Sequence, residues 1–389
     1  MLKALKNSNV KIDKEFVLPL YAKISLIIIG LYVFFLILYL TGEIVIPFVF
    51  ALLIAILLYP VVQFFVRSGI NRIVSIIIAM SITFIIVSAI GYLIITQASH
   101  FSDSWPEMKD KFSEVFNQFI TATAGFFDIQ PQKIQDWLSQ TKTEFTDKLT
   151  AIIGQSLMLV GSSVVVLLLL PVYIFLILYY QPLLVAFILN LFDRDNHKQV
   201  SGVISKVKTL VQSYLLGLVI EMVIVAILEI AALLVLGIEY AVLLGVVGAI
   251  LNVIPYIGGL VAVALPMMIA FVTKTSAWYA LYVLIAYYFI QLIDNNYIVP
   301  VIVASKVKIN ALISVIAVIA GNAIWGVSGM FLSLPLIAIA KLIFDHVDSL
   351  KPWGLLLGDT IPGEVNKNKK SGKDKKKESI EKNEITEMI

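Results

Sequence analysis

Two glutamates, Glu221 and Glu229, stand inside a run of Leu, Ile, Val and Ala that extends from Val211 to Leu236. A carboxylate in hydrocarbon costs roughly 2.5 kcal/mol or more at a helix centre. Such a group faces a bundle interior or a watery cavity, pairs with a partner, or carries a proton. The chemistry open to it is proton or cation carriage; a structural hydrogen bond to a neighbouring helix is the other reading. Eight residues apart on one helix, the two carboxyls differ by about 80° in direction and about 12 Å in height, so they need not share a site. A second group of polar residues, Asn252, Pro255, Tyr256, Gly258 and Gly259, interrupts the apolar stretch that ends near Pro266 and Val272. Proline and paired glycines open the helical ladder, and irregular backbone at this depth is tolerated where it lines a cavity or is buried in protein. The accompanying Asn and Tyr favour a pathway element over a plain proline kink. A third group, Gln291, Asp294, Asn295 and Asn296, precedes Pro300. It offers oxygen ligands to a cation or a polar lining to a vestibule, or it marks a helix end emerging into water. In the last apolar stretch, Gly321, Gly326, Gly329 and Pro335 are spaced for close helix contact, so packing is their expected role.

The elements that must carry these residues are membrane spans. The chain is 60% hydrophobic and 14% charged over 389 residues, and its apolar stretches reach the roughly 20 residues a helix needs to cross a bilayer. The expectation is an all-α, polytopic helical membrane protein of about eight transmembrane helices: Ile24–Leu40, Val45–Val66, Ile73–Ile95, Ala151–Tyr179, Val211–Leu236, Ala241–Val272, Ala277–Ile293 and Ala311–Phe344. The organisation reads as a leader over 1–22, helices one to three over 23–96, a polar insert over 97–150, helices four to eight with the transport core over 151–350, and a tail over 351–389. Lys3, Lys6, Arg67, Arg72, Arg194, Lys198, Lys274 and the lysine-rich tail fall on one face if all eight stretches cross. By the positive-inside bias that face is cytoplasmic, with both termini there. Lys306 and Lys308 fall on the opposite face and violate the pattern.

The insert is slightly acidic, and its apolar residues recur at helical spacing, with Trp105, Phe112, Phe116 and Trp137 among them. It reads as an interfacial helical hairpin, or as a lid over the pathway. The tail from Pro362 is Lys-, Glu- and Asn-rich and too polar to build a core. There are no cysteines, and the three histidines are scattered, so neither a metal site nor a cofactor is expected. Phosphate-binding glycine loops, paired-histidine helices and nucleophile elbows are missing, and no catalytic residue is assigned.

The run Gly245-Val-Val-Gly-Ala-Ile-Leu-Asn-Val-Ile-Pro-Tyr-Ile-Gly-Gly259 resembles the signature of the autoinducer-2 exporter family of bacterial permeases. So do Ile46-Pro-Phe-Val-Phe-Ala51, leading through Tyr59-Pro60-Val61 to Gly69 and Arg72, and the closing segment Gly326-Val-Ser-Gly-Met-Phe-Leu-Ser-Leu-Pro335. The resemblance covers roughly residues 20 to 350. It implies an eight-span permease of the bacterial inner membrane that assembles as a homo-oligomer. The chain departs from the family pattern at Glu221, where glutamine is common, and at Ile309 and Asn310, where a His-Pro pair is frequent. The functional expectation is a secondary transporter of a small polar solute or ion, with the lipid bilayer as its surroundings and no nucleic-acid partner. A sodium/proton-type antiporter and a non-transporting membrane scaffold are the alternatives.

Overall fold

Proline and glycine set several of the bends in a chain whose described residues are mostly helical. The computed structural model describes residues 19–127, 164–254, 258–274, 276, 278–303 and 309–359. Ten α-helices follow in order among them: α1 Leu20–Leu40, α2 Gly42–Arg67, α3 Arg72–Phe127, α4 Val164–Asn190, α5 His197–Val235, α6 Ala241–Asn252, α7 Gly258–Thr273, α8 Trp278–Ile293, α9 Ala311–His346 and α10 Lys351–Leu357. A wider π-helical segment, Asp294–Val303, continues α8 without a gap. Among the described residues there is no strand, only an isolated bridge between Ile309 and Gly358. Two units divide the chain at Val45. The first contains α1, an apolar helix of 21 residues whose C-terminus is closed by the Thr41 hydroxyl donating to the Ile37 carbonyl at 2.7 Å.

The second unit holds the remaining helices, joined by four apolar clusters, three of them large. Ala51, Ala55, Leu58 and Val62 of α2 pack on Ile76 and Ala79 of α3 and on Ile174 and Leu178 of α4. Leu53 joins Val211, Tyr214, Leu215 and Leu218 of α5 and Leu332 of α9. Leu233 of α5, Leu244 of α6, Ala262 and Ile269 of α7 and Tyr287 of α8 form the third. Two of the bends in this unit are completed by a side chain from elsewhere. Pro60 has no N–H to donate to the Ile56 carbonyl one turn earlier; Gln212 of α5 donates to that carbonyl instead, at 2.7 Å. Pro182 likewise strands the Leu178 carbonyl, and Arg72 donates to it at 2.7 Å. In lipid these bonds matter, because water is not there to take the freed acceptors.

All eight apolar stretches read from the sequence are helical where described, but the sixth and eighth do not run straight. The sixth is two helices, α6 and α7, folded against each other. A Cβ added to Gly258 would fall 2.8 Å from the Asn252 Cα, and the far ends meet where Lys274 Nζ lies 3.2 Å from the Cβ position of Gly237. The pair therefore enters from the end where α5 finishes and returns to it. The eighth breaks at Trp325 and Gly326, whose backbone is not helical. Gly321 and Gly329 then lie back to back, with an added Cβ on one 2.6–2.8 Å from the carbonyl carbon of the other. Both ends of α9 sit at the end of the bundle where α5 starts. There Lys206 Nζ meets His346 Nε2 at 2.9 Å, and the Asn310 N–H donates to the Leu357 carbonyl at 3.1 Å. These two turns correct the expected sidedness of Lys274, which shares an end with Gly237 and not with Arg194 and Lys198.

The polar insert is described only over its first part, 97–127. The apolar part of α3, Arg72–Ser99, is long enough to cross a membrane. The helix then continues unbroken to Phe127, about 40 Å further at 1.5 Å per residue. An unbroken helix gives residues 97–127 no turn at which to fold into a hairpin; residues 128–150 lie outside those described. The leader and most of the tail, 1–18 and from 360 onward, lie outside them as well. At the end of the bundle where α5 starts, Lys208 rides 3.7 Å over the Tyr59 ring. Partial burial and the nearby Arg67 push its ammonium below the usual lysine value. Asp348 is held below the usual carboxylate value by its hydrogen bond with Lys351.

Candidate functional site

The tip of the α6–α7 hairpin, the start of the π segment and the middle of α5 meet in the interior of the bundle. Asp294 is the first residue of the π segment, where the i→i−4 ladder of α8 widens, and it is 2% exposed. Its Oδ2 accepts from Asn252 Nδ2 at 2.9 Å and from Gln291 Nε2 at 3.4 Å. Its Oδ1 is buried with no hydrogen-bond partner. Gln291 also donates to Asn295 Oδ1 at 3.3 Å. Gly259, at the start of α7, makes room for this amide cluster: a Cβ there would lie 2.9 Å from Gln291 Cδ and 3.2 Å from Asn252 Oδ1. Glu221 of α5 is 5% exposed and interacts electrostatically with Asp294. Tyr214 sits two turns before Glu221, on the same face of α5, and interacts with it too.

Glu229 lies two turns beyond Glu221 and is 3% exposed. It interacts with Asp294 and with Tyr287 of α8, and it sits directly against Gly248 of α6. Three carboxyl groups thus occupy one apolar bundle, and the charged neighbour of Glu221 is another acid, Asp294. Like charges close together in a medium of low dielectric cannot all ionise. An arrangement of this kind can take up a proton, or a cation shared between oxygens. No group of three or more His, Cys, Asp or Glu placed to bind a metal ion occurs among the described residues.

The structure brings together Asn252, Gly258, Gly259, Glu221, Gln291 and Asp294 of the residues expected from sequence. Pro255 and Tyr256 lie outside the described residues. Asn295 and Asn296 are exposed on the surface of the protomer, and Asn296 Nδ2 donates to the Leu292 carbonyl at 2.8 Å, where α8 passes into the π segment. Gly321, Gly326, Gly329 and Pro335 belong to the second hairpin, whose tip residue Trp325 packs in the same cluster as Val253 of the first. Asn310 is a structural residue: its Oδ1 accepts from the Ile313 N–H at 2.8 Å, and its Nδ2 donates to the carbonyls of Leu356 and Gly358. Sequence reasoning missed Tyr287 and Gly248. The signal for Tyr287 was its spacing, since Tyr287, Gln291 and Asp294 stand at i, i+4 and i+7 on one helix face.

The chain matches a described family of proteins. The family model described as AI-2E family transporter matches residues 27–349. "Putative transport protein YrrI" of Bacillus subtilis (strain 168) is 23% identical over 308 residues, covering 77% of this chain and 86% of that protein. "AI-2 transport protein TqsA" of Escherichia coli (strain K12) is 25% identical over 330 residues, covering 82% and 90%. "Putative transport protein YueF" of Bacillus subtilis (strain 168) is 26% identical over a shorter stretch of 102 residues.

Proposed function

The chain belongs to the AI-2E family of transporters, and from that premise we propose that it is a secondary permease of the bacterial inner membrane whose solute movement is coupled to protons. It is a membrane transporter; the solute class, the coupling and the site are the proposal. The observation that carries it is the Glu221–Asp294 pair, two buried carboxyls with an unpartnered Asp294 Oδ1 between the hairpin tip and the middle of α5. A pair of this kind changes its net charge by taking or losing one proton, and a small polar or cationic solute competes for the same oxygens. Asn252 and Gln291 hold Asp294 Oδ2 and leave Oδ1 to the solute. Sodium/proton exchange is the form of this reading favoured by the amide groups of Asn252 and Gln291 beside the Asp294 carboxyl.

The orientation follows from charge. Arg67, Arg72, Arg194 and Lys198 lie toward one end of the bundle, which the positive-inside bias makes cytoplasmic. The homo-oligomer is part of the proposal as well: Asn295, Asn296 and the 70% exposed Tyr297 form a polar patch on an apolar surface, where a second copy suits them better than lipid.

The test uses the full-length chain in proteoliposomes carrying an internal pH dye. A sodium pulse or an imposed pH step should move protons in the wild type, and Glu221→Gln or Asp294→Asn should abolish the movement or flatten its dependence on pH. Wild-type pH dependence in both variants would remove the coupling role. Deletion of the tail after Gly363 should leave flux intact; loss of a bound membrane partner on that deletion would favour the scaffold reading.

A further inference from the structure

Glu229 is not explained by the centre at Glu221 and Asp294. It lies about 12 Å along α5 from Glu221, toward the end of the bundle marked by Gly237 and Lys274. Its surroundings are apolar: Leu233, Leu244, Ala262 and Val283 pack about Tyr287, and Val225, Ala249 and Ile290 form a smaller cluster beside them. Within that setting, Glu229 Oε2 and the Tyr287 hydroxyl are both buried, and neither has a hydrogen bond of good geometry. The two interact with each other, and a buried carboxyl–phenol contact that falls short of good hydrogen-bond geometry is uncommon. A residue kept for helix packing alone would be better served by leucine. The third component is a glycine. Gly248 of α6 faces Glu229, and a Cβ there would fall against the carboxylate oxygen and 3.2 Å from its Cδ. Gly245, one turn earlier, lies as close to Ile230, with 2.8 Å between its Cβ position and the Ile230 nitrogen. The two glycines bring α6 against α5, and the missing side chain of Gly248 is what makes room for the Glu229 carboxylate.

We propose that Glu229, Tyr287 and Gly248 form a second proton-binding station, which passes protons between the Glu221–Asp294 centre and the membrane face where α5 ends. The proposal rests on the proton-coupled reading above. The ligand is a proton delivered on water. A hydronium ion arriving from that face gives its proton to the Glu229 carboxylate, leaving neutral water and a carboxylic acid. The acid then gives the proton, through bridging water, to the carboxylate of Asp294 in the centre, and Glu229 is again an anion. One carboxyl and one phenol are too few oxygens for a metal cation, which takes about six or more. The titratable groups that face Glu229 are Tyr287 from α8 and Asp294 from the π segment, with Glu221 on its own helix. From α6 it meets glycine. No base neutralises the station from these elements among the described residues, so a proton is what can balance its charge.

Infrared difference spectroscopy of the reconstituted protein, stepped in pH, reads the station without any solute. A protonated-carboxyl C=O band should appear, shift in D2O, and vanish in Glu229→Gln. Tyr287→Phe should move the band without removing it, which a packing role for Tyr287 would not do. In proteoliposomes, Glu229→Gln and Tyr287→Phe should slow proton movement after a pH step by about tenfold or more. Tyr287→Phe is the milder change and keeps the test open if Glu229→Gln does not fold. A Glu229-independent band together with wild-type proton rates in Tyr287→Phe would overturn the station. The two readings fail separately: normal pH dependence in Glu221→Gln removes the coupling centre, whereas its loss there with normal rates in Glu229→Gln removes only the relay.

Discussion

Replacing Gly329 with alanine tests whether α9 is a hairpin or a straight span. In a straight helix, residues 321 and 329 are about 12 Å apart along the axis, and a methyl on either meets nothing of the other. In the hairpin, a Cβ on Gly329 lies 2.6 Å from the Gly321 carbonyl carbon, and one on Gly321 lies 2.8 Å from the Gly329 carbonyl carbon. Carbon atoms rest about 3.5–4.0 Å apart, so either alanine forces the two arms to separate by about 1 Å. Overpacking costs about 1–3 kcal/mol, and the upper part of that range applies because the obstructing atoms are backbone and cannot rotate away. A loss of about 2–3 kcal/mol is a factor of about 30–150 in the folding equilibrium.

The assay is unfolding in mixed micelles of increasing denaturing-detergent fraction, followed by tryptophan fluorescence; Trp325 at the hairpin tip is one reporter. Gly329→Ala and Gly321→Ala should each lower the midpoint. The double variant should lose about as much as either single one, because both push apart the same contact. Gly326→Ala should also destabilise, by about 1–3 kcal/mol, since φ +59° and ψ −140° suit glycine alone. Gly202 meets nothing within 4 Å, so Gly202→Ala is the control and should gain up to about 1 kcal/mol in helix propensity. Wild-type stability in Gly329→Ala, or full additivity of the two alanines, would refute the hairpin.

Gln212→Leu should destabilise by about 1–3 kcal/mol in the same assay, because the Ile56 carbonyl loses its donor. Adding Pro60→Ala should recover most of the loss by restoring the backbone N–H, an outcome that a packing role for Gln212 would not give. Asn310→Ala should cost about 1 kcal/mol as a lost N-cap and should raise amide hydrogen exchange at Ile313, whose N–H it accepts. The chain has no cysteine, so single cysteines report sidedness without background. Lys274→Cys should react with an impermeant maleimide from the face opposite to Lys198→Cys and Lys351→Cys. Reaction of all three from one face would restore a straight sixth span.

The helices themselves were legible because their cause is local. Apolar length specifies them, and each of the eight stretches is helical where described, with ends displaced by a few residues at α1 and α2 and by more at α4 and α5. The polar residues at membrane depth were legible for the same reason: Glu221 and Asp294 cost too much in hydrocarbon to be there idly, and the fold does bury them together. Partners were not legible. Nothing in the spacing of Gln212 or Arg72 announces that each completes a proline bend in another helix, since that depends on tertiary position. Gly248 reads as an ordinary small residue until Glu229 is found against it.

The direction of the chain at its two glycine-rich stretches was misjudged for a related reason. Hydropathy registers length, and a hairpin of two short helices is as long and as apolar as one tilted span. The charge pattern held the correction. With eight straight crossings, Lys306 and Lys308 fall on the outer face and break the positive-inside bias. With the sixth stretch folded back on itself, one crossing fewer precedes them, and the charge count alone would assign both lysines, which lie outside the described residues, to the face of Arg194 and Lys198. Lys274 moves the other way, so one lysine is given up and two are gained. Folding the eighth stretch removes a second crossing and leaves the lysine-rich tail where it was. A violation of two charges in a single short loop was therefore a topological signal, and it pointed to the hairpin that carries Asn252 to Asp294.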